Sequence, residues 1–151
     1  MSEQIKVIAN NRKAHHDYFI NDKYECGIVL TGTEIKSIRL GRVNLKESYV
    51  QIKNNEVFII GMHIAIYEQG NQFNHDETRT RKLLLHRHEI RKIDKEVSQK
   101  GMTLVPLRLY IKKGKAKVEI GVAKGKKLYD KRETEKERDI QRDLQKEYKL
   151  R

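Results

Sequence analysis

Hydrophobic and polar positions alternate with a period of two along much of the first 123 residues, which is the pattern of half-buried β-strands. The alternation is clearest near the end of that region. Leu107, Leu109 and Ile111 point one way and Arg108, Tyr110 and Lys112 the other. Lys113-Gly114 supplies a turn, after which Ala116, Val118, Ile120 and Val122 face inward and Lys115, Lys117 and Glu119 outward. Earlier runs predict strands over Tyr18–Ile20 and Tyr24–Leu30 with a turn at Asn21–Lys23. A hairpin is expected where Ser48–Lys53 and Glu56–Ile60 flank Asn54-Asn55. Further strands are expected at His63–Tyr67 and Arg79–Leu85, separated by an exposed loop at Glu68–Glu77. The single proline, Pro106, falls at a strand start, where a missing N–H is tolerated.

Helical signals are fewer. Asn10 or Asn11 can cap a short helix over the basic stretch that runs to His16. Thr31-Gly-Thr-Glu34 has capping-box spacing, Ile35 and Ile38 share one face, and Gly41 suits a left-handed stop. His88–Lys100 places Ile90, Ile93 and Val97 on one side and ends at Gly101. About six short strands with about three flanking helices predict a mainly β body. A small OB-like closed barrel over residues 1–123 is the first expectation, and an open α+β sandwich is the alternative.

After Ala123 the pattern changes. Lys124–Arg132 holds five basic residues and one acid, and Glu133–Arg151 holds six of each. Residues 124–151 therefore read as a basic hinge and tail. Four acid-before-base pairs three residues apart (Glu133/Lys136, Glu135/Arg138, Asp139/Arg142, Asp143/Lys146) each add about 0.2–0.5 kcal/mol to an isolated helix. The apolar stripe Ile140, Leu144, Tyr148 is too thin to pack a helix by itself. The expectation is a tail disordered alone and helical on a partner.

Charge narrows the function. The chain carries +12 over 151 residues, of which the tail accounts for +4 and the body for +8. Nucleic acid is the first partner such a balance suggests, with an anionic membrane second. No run approaches the ~20 apolar residues of a membrane span, and Met1–Val7 lacks the apolar core of a signal peptide. The reading is cytoplasmic. The lone Cys26 allows no internal disulfide and no cysteine-based zinc cluster, and its apolar setting predicts a buried thiol. Six histidines occur without an acid at a recognised metal spacing, no phosphate loop is present, and no nucleophile–base order is legible. No metal, cofactor or catalytic residue is expected.

Two basic constellations stand out. Arg108, Tyr110, Lys112, Lys115 and Lys117 form an outward face that mixes cations with an aromatic, suited to phosphate contact and base stacking. Arg79, Arg81, Lys82, Arg87, Arg91, Lys92 and Lys95 surround the apolar Leu83–Leu85, with His86 and His88 between them.

Several segments together resemble the SsrA-binding protein family (small protein B). They are Asn11-Arg-Lys-Ala-His-His-Asp-Tyr18, Gly27-Ile-Val-Leu-Thr-Gly-Thr-Glu-Ile-Lys-Ser37, Val43–Tyr49, Arg79-Thr-Arg-Lys-Leu-Leu-Leu-His86, Leu104–Leu107 and Gly121–Arg132. Cys26 stands where the family usually has alanine, and Ile66 and Glu77 where it commonly has proline. The resemblance implies an OB-like barrel that binds the transfer-RNA-like domain of transfer-messenger RNA at its D-loop and elbow. It implies a tail that becomes helical in the messenger channel and decoding centre of a stalled ribosome. An elongation factor GTPase on the same RNA is a further implied partner. By motif position, RNA contacts fall on Glu25, Leu84, His86 and Lys117, with Asn11, Arg12, Lys13 and His16 added from the first motif. Arg79, Arg81 and Lys82 join them from the basic strand. Tail contacts to the ribosome are expected at Lys124, Lys126, Lys127, Tyr129, Asp130, Lys131, Arg132, Lys136, Arg138 and Ile140. The rival reading is a generic OB-fold protein that binds single-stranded RNA or assists ribosome assembly.

Overall fold

The computed structural model describes residues 4–69 and 74–126. The elements run β1 (Ile5–Asn10), α1 (Arg12–Asp17), β2 (Tyr18–Ile28), α2 (Gly32–Arg39), β3 (Val43–Asn44), β4 (Tyr49–Lys53), β5 (Glu56–Ile60), β6 (His63–Ile64), β7 (Arg81–Leu84), α3 (Arg87–Lys100), β8 (Thr103–Lys112) and β9 (Lys115–Gly125). Seven strands form one antiparallel sheet in the order β1-β8-β9-β2-β7-β5-β4, and β3 pairs with β6 beside it. The sheet curls until β4 comes back against β8, so it closes by packing rather than by a ladder. With three flanking helices this is the expected OB-like body.

Local chemistry explains most of the elements. Asn54 and Asn55 take φ of 54° and 61°, the left-handed pair that a two-residue hairpin turn requires, and Asn tolerates it better than most side chains. Thr31 and Glu34 form the reciprocal cap of α2, with Thr31 N–H donating to Glu34 Oε1 at 2.8 Å. Gly41 follows at φ 76°, and Gly101 ends α3 at φ 64°. Asn11 caps α1 by accepting from Ala14 N–H at 3.3 Å and donates from Nδ2 to Pro106 O at 2.8 Å.

The core lies inside the curl, where Val57, Ile59, Ile64, Leu83, Leu109, Val118, Ile120 and Val122 meet Ile38 of α2 and Ile93 of α3. Cys26 is fully buried there, and burial pushes its thiol up to about 12. A second, smaller cluster of Ala14, Val105, Leu107 and Ala123 sits under α1.

Four expectations are corrected. Asn21–Lys23 is not a turn: β2 is continuous, and one extra residue between Ile20 and Asp22 is absorbed as a bulge opposite β9. Leu107 does not share the side of Leu109. A second bulge between Pro106 and Arg108 turns it into the α1 cluster, where its Cδ1 would stand 3.1 Å from any Cβ at Gly121. Pro106 lies within β8, beyond the end of β1. The strand expected at His63–Tyr67 stops at Ile64, because Tyr67 turns its N–H and C=O to the Asn74 amide at 2.9 and 2.6 Å. β1, absent from the sequence reading, forms because Ile8 and Ala9 pack on the core while the strand pairs with β8.

Candidate nucleic-acid interface

Strand register builds one continuous face. Leu84 lies opposite Gly27, Gly27 opposite Lys117, and Lys117 opposite Tyr110, so β7, β2, β9 and β8 contribute one row. Two residues along, Glu25 lies opposite Glu119, and Glu119 opposite Arg108. Directly opposed residues of an antiparallel sheet project to the same side. Glu25, Leu84 and Lys117, singled out at well-separated points of the chain, therefore share one face. Gly27 makes the row possible: a Cβ there would sit 3.3 Å from Leu84 Cβ, so its absence lets Leu84 lie across β2. Leu84 keeps half its surface exposed.

Glu25 is held from beneath. Tyr110 Oη donates to Glu25 Oε1 at 2.5 Å, and Lys112 Nζ lies 3.3 Å from the same oxygen and 3.4 Å from Oε2. The Tyr110 hydrogen bond, opposed by partial burial and joined by Lys112, holds the carboxyl below its ordinary range. Glu25 is thus an ionised acceptor in a fixed orientation, with two partners on Oε1 and one on Oε2. Tyr110 is 2% exposed, and the Arg108 guanidinium sits 4.7 Å above its ring while pairing with Glu119 at 3.3 Å. This corrects the outward stacking platform. Tyr110 is a buried support, because its ring fills the space under Arg108 and its hydroxyl is committed to Glu25.

α1 covers the far end of the same face. Ala123, Gly121, Glu119 and Lys117 alternate along β9 on one side, and Ala123 packs on Ala14 of α1. That packing sets the exposed Arg12 and Lys13 beside the row. His16 is half-buried, its Nδ1 2.9 Å from Asp17 Oδ1. Asn11 is spent on the cap and on Pro106. At the other end, His86 precedes α3, its N–H donating to Glu89 Oε1 at 3.1 Å. Its ring stacks on His88 at 5.5 Å and 10°, so the two histidines form one exposed double ring.

The basic strand divides. Lys82 is half-buried and pairs with Glu56 at 3.3 Å. Arg79 donates to Glu34 Oε1 at 2.6 Å and to Val29 O at 3.2 Å. Arg81 is corrected as an RNA contact, since its side chain is fully buried. Its Nε donates to Glu34 Oε2, Nη1 to Met62 O at 2.7 Å, and Nη2 to Asp76 O and Glu77 O at 3.3 Å each. Glu34 is also fully buried; although burial pushes its carboxyl up, hydrogen bonds from Arg79, Thr31 N–H and Arg81 outweigh this and hold it at about 2. The cluster ties α2, β7 and the loop between β6 and β7 together, which is structural work.

The expected hinge begins inside the sheet. Lys124 pairs opposite Phe19 and Gly125 opposite Tyr18. Lys126 N–H then donates to Asp17 O at 2.8 Å, and its Nζ lies 3.3 Å from His15 O and 5.0 Å above the Phe19 ring. Lys127, Tyr129, Asp130, Lys131, Arg132, Lys136, Arg138 and Ile140 lie outside the described residues. Among the described residues no cluster of three His, Cys, Asp or Glu could hold a metal, and no helix is long and apolar enough to cross a membrane.

Comparison with known proteins identifies the family. The model of the "SmpB protein" family matches residues 8–150. An SsrA-binding protein of Geobacillus kaustophilus is 62% identical over 146 residues, covering 97% of this chain and 94% of that one. Another, of Thermoanaerobacter pseudethanolicus, is 59% identical over 147 residues at 97% and 94% coverage. A solved chain described as "tmRNA-SmpB: a journey to the center of the bacterial ribosome" superposes with a TM-score of 0.66 at 48% identity, over 80% of this chain and 85% of that one. A family match over residues 8–150, with relatives of this identity over 97% of the chain, establishes that the chain belongs to the SmpB family of SsrA-binding proteins.

Proposed function

We propose that this protein is a non-enzymatic RNA chaperone that binds the transfer-RNA-like domain of transfer-messenger RNA and delivers it to stalled ribosomes in trans-translation. The observation that carries the reading is the row joining Leu84, Gly27 and Lys117 across three strands, with Glu25 fixed beside it. One oriented acid among cations supplies discrimination, since a carboxylate accepts from base amino groups while lysines and arginines hold phosphates at any sequence. Arg12, Lys13, His16, Arg79, Lys82 and His86 complete the proposed contact set, and Asn11 serves it by fixing α1.

The tail takes the place of messenger. Lys124 and Lys126 start it from the edge of the body, and Lys127, Tyr129, Asp130, Lys131, Arg132, Lys136, Arg138 and Ile140 meet the decoding centre and channel as a helix. An elongation factor GTPase rides on the same RNA, and the complex works in the cytoplasm. A generic single-strand binder would present stacking aromatics on the face; the buried Tyr110 speaks against that rival. Sequencing the RNA that copurifies with the protein tests the proposal: one dominant folded RNA with a transfer-RNA-like end supports it, and a broad mixture of unstructured RNA overturns it.

A further inference from the structure

An open groove of about 750 Å³ runs between the β4–β5 turn, β7 and the start of α3. Asn54, Asn55, Lys82, Leu84, Arg87 and Arg91 line it. We propose that this groove is a second RNA-contact site, which takes a stretch of phosphate backbone leaving the sheet face around Leu84. The proposal rests on the RNA-binding reading above and extends it to residues the sheet face does not contain.

Three observations carry it. The first is charge. Arg87 and Arg91 stand four residues apart on α3, hence on one side of the helix, and both line the groove. Neither guanidinium has a hydrogen-bond or ion-pair partner among the described residues. Like charges at this spacing repel, so the helix carries an arrangement that a bound anion relieves. The one acid of the lining, Glu56, is engaged with Lys82 at 3.3 Å, which leaves both arginines uncompensated.

The second is chemistry. The Asn54 and Asn55 amides offer donors and acceptors on the opposite rim. Leu85 and Ile90, both half-buried, form an apolar floor for a ribose or a base. Arginines that approach phosphates, amides that reach sugar or base edges and an apolar surface between them are the components of RNA contact outside regular helices. The third is continuity. Leu84 belongs both to the groove and to the Glu25–Lys117 face, so a strand of RNA on that face reaches the groove without a gap.

Counterion release measures the site directly. Full-length Arg87→Gln/Arg91→Gln protein would be titrated with the folded transfer-RNA-like domain over a range of salt, beside wild type. Lys46→Gln/Lys100→Gln, two exposed cations away from the groove, matches the charge change. Circular dichroism melts would show each variant folded. Two lost phosphate contacts should flatten the slope of log K against log salt by about 1.4–1.8, with the control pair near the wild-type slope. A groove variant with the wild-type slope, or a control flattened equally, overturns the proposal. Failure of wild type to prefer folded RNA overturns the functional reading instead. The groove is still decided, because its slope is read on whichever RNA binds.

Discussion

Tyr110 on β8 reaches across β9 to donate its hydroxyl to Glu25 on β2, at 2.5 Å from Oε1. The bond fixes the Glu25 carboxylate on the candidate face, whose other acid, Glu119, is paired with Arg108. Electrostatics alone says that removing an acid from a basic protein tightens RNA binding. If Glu25 accepts from a base, Glu25→Ala should instead weaken binding of the folded transfer-RNA-like domain by about 1–3 kcal/mol. Equilibrium titration at fixed salt reads the sign, and tighter binding by the variant would remove Glu25 from the site.

The buttress can be separated from the contact. Tyr110→Phe keeps the ring under Arg108 and removes only the hydroxyl that orients Glu25. Binding should fall by about 0.5–1.5 kcal/mol, less than for Glu25→Ala, with the barrel still folded. A Tyr110→Phe variant that binds RNA as wild type does would show that Glu25 needs no orientation.

The Glu34–Arg81 pair should dominate the stability of the body. Glu34→Gln leaves a fully buried guanidinium without its counter-charge, a change that costs about 3–5 kcal/mol. The pH dependence has a definite sign. Because the folded carboxyl is held at about 2, below its ordinary value, its contribution is complete above the unfolded carboxylate range and is lost as pH falls through about 2. Urea midpoints should therefore show wild type and Glu34→Gln far apart at pH 6 and converging between pH 4 and pH 2. A gap independent of pH would contradict the pairing.

Gly121 offers a packing test. A Cβ at this position would meet Ile20 Cγ2 at 3.0 Å and Leu107 Cδ1 at 3.1 Å, so Gly121→Ala should overpack the α1 cluster. A loss of about 1–3 kcal/mol in chemical denaturation is expected. An unchanged midpoint would mean that the two neighbours move aside freely.

Alternation made the strands legible, and caps made the helices legible, because both are local. Thr31/Glu34, the Asn54-Asn55 turn and the final hairpin each declare themselves within a few residues. The bulges at Asn21 and Leu107 do not, since an extra residue in a strand shows only against its partner. Charge misled for a similar reason. Arg81 and Lys82 are adjacent basic residues, yet the strand sends one to the core and the other to the surface. Only the position of Glu34, 47 residues from Arg81, decides which of these two basic residues is structural. Tyr110 followed the polar half of its strand and was still buried, because Arg108 folds over it. The site residues Glu25 and Leu84 rest on family resemblance, Lys117 on the outward basic face as well; pattern alone gives no reason to join them until the register is known.

The division between body and tail moves by three residues. Since Lys124 and Gly125 are paired in the sheet and Lys126 is bonded to Asp17 and His15, truncation should follow Lys126 rather than Ala123. Such a protein should melt like wild type, bind the transfer-RNA-like domain, and fail to support peptidyl transfer on stalled ribosomes. A full-length protein with residues 127–151 scrambled at constant composition should fail in the same assay, since the scramble destroys the acid–base spacing and the Ile140/Leu144/Tyr148 stripe. Normal rescue by the scramble would reduce the tail to its charge.

The central claim is selective recognition of one folded RNA by the Glu25–Leu84–Lys117 face, and a competition measurement tests it most directly. Protein bound to labelled transfer-RNA-like domain at near-physiological salt would be challenged with unlabelled copies of that domain or with unstructured RNA of equal length. The folded competitor should displace the label at stoichiometric concentration, while the unstructured one should need a large excess. Equal displacement by the two at equal concentration would contradict the account.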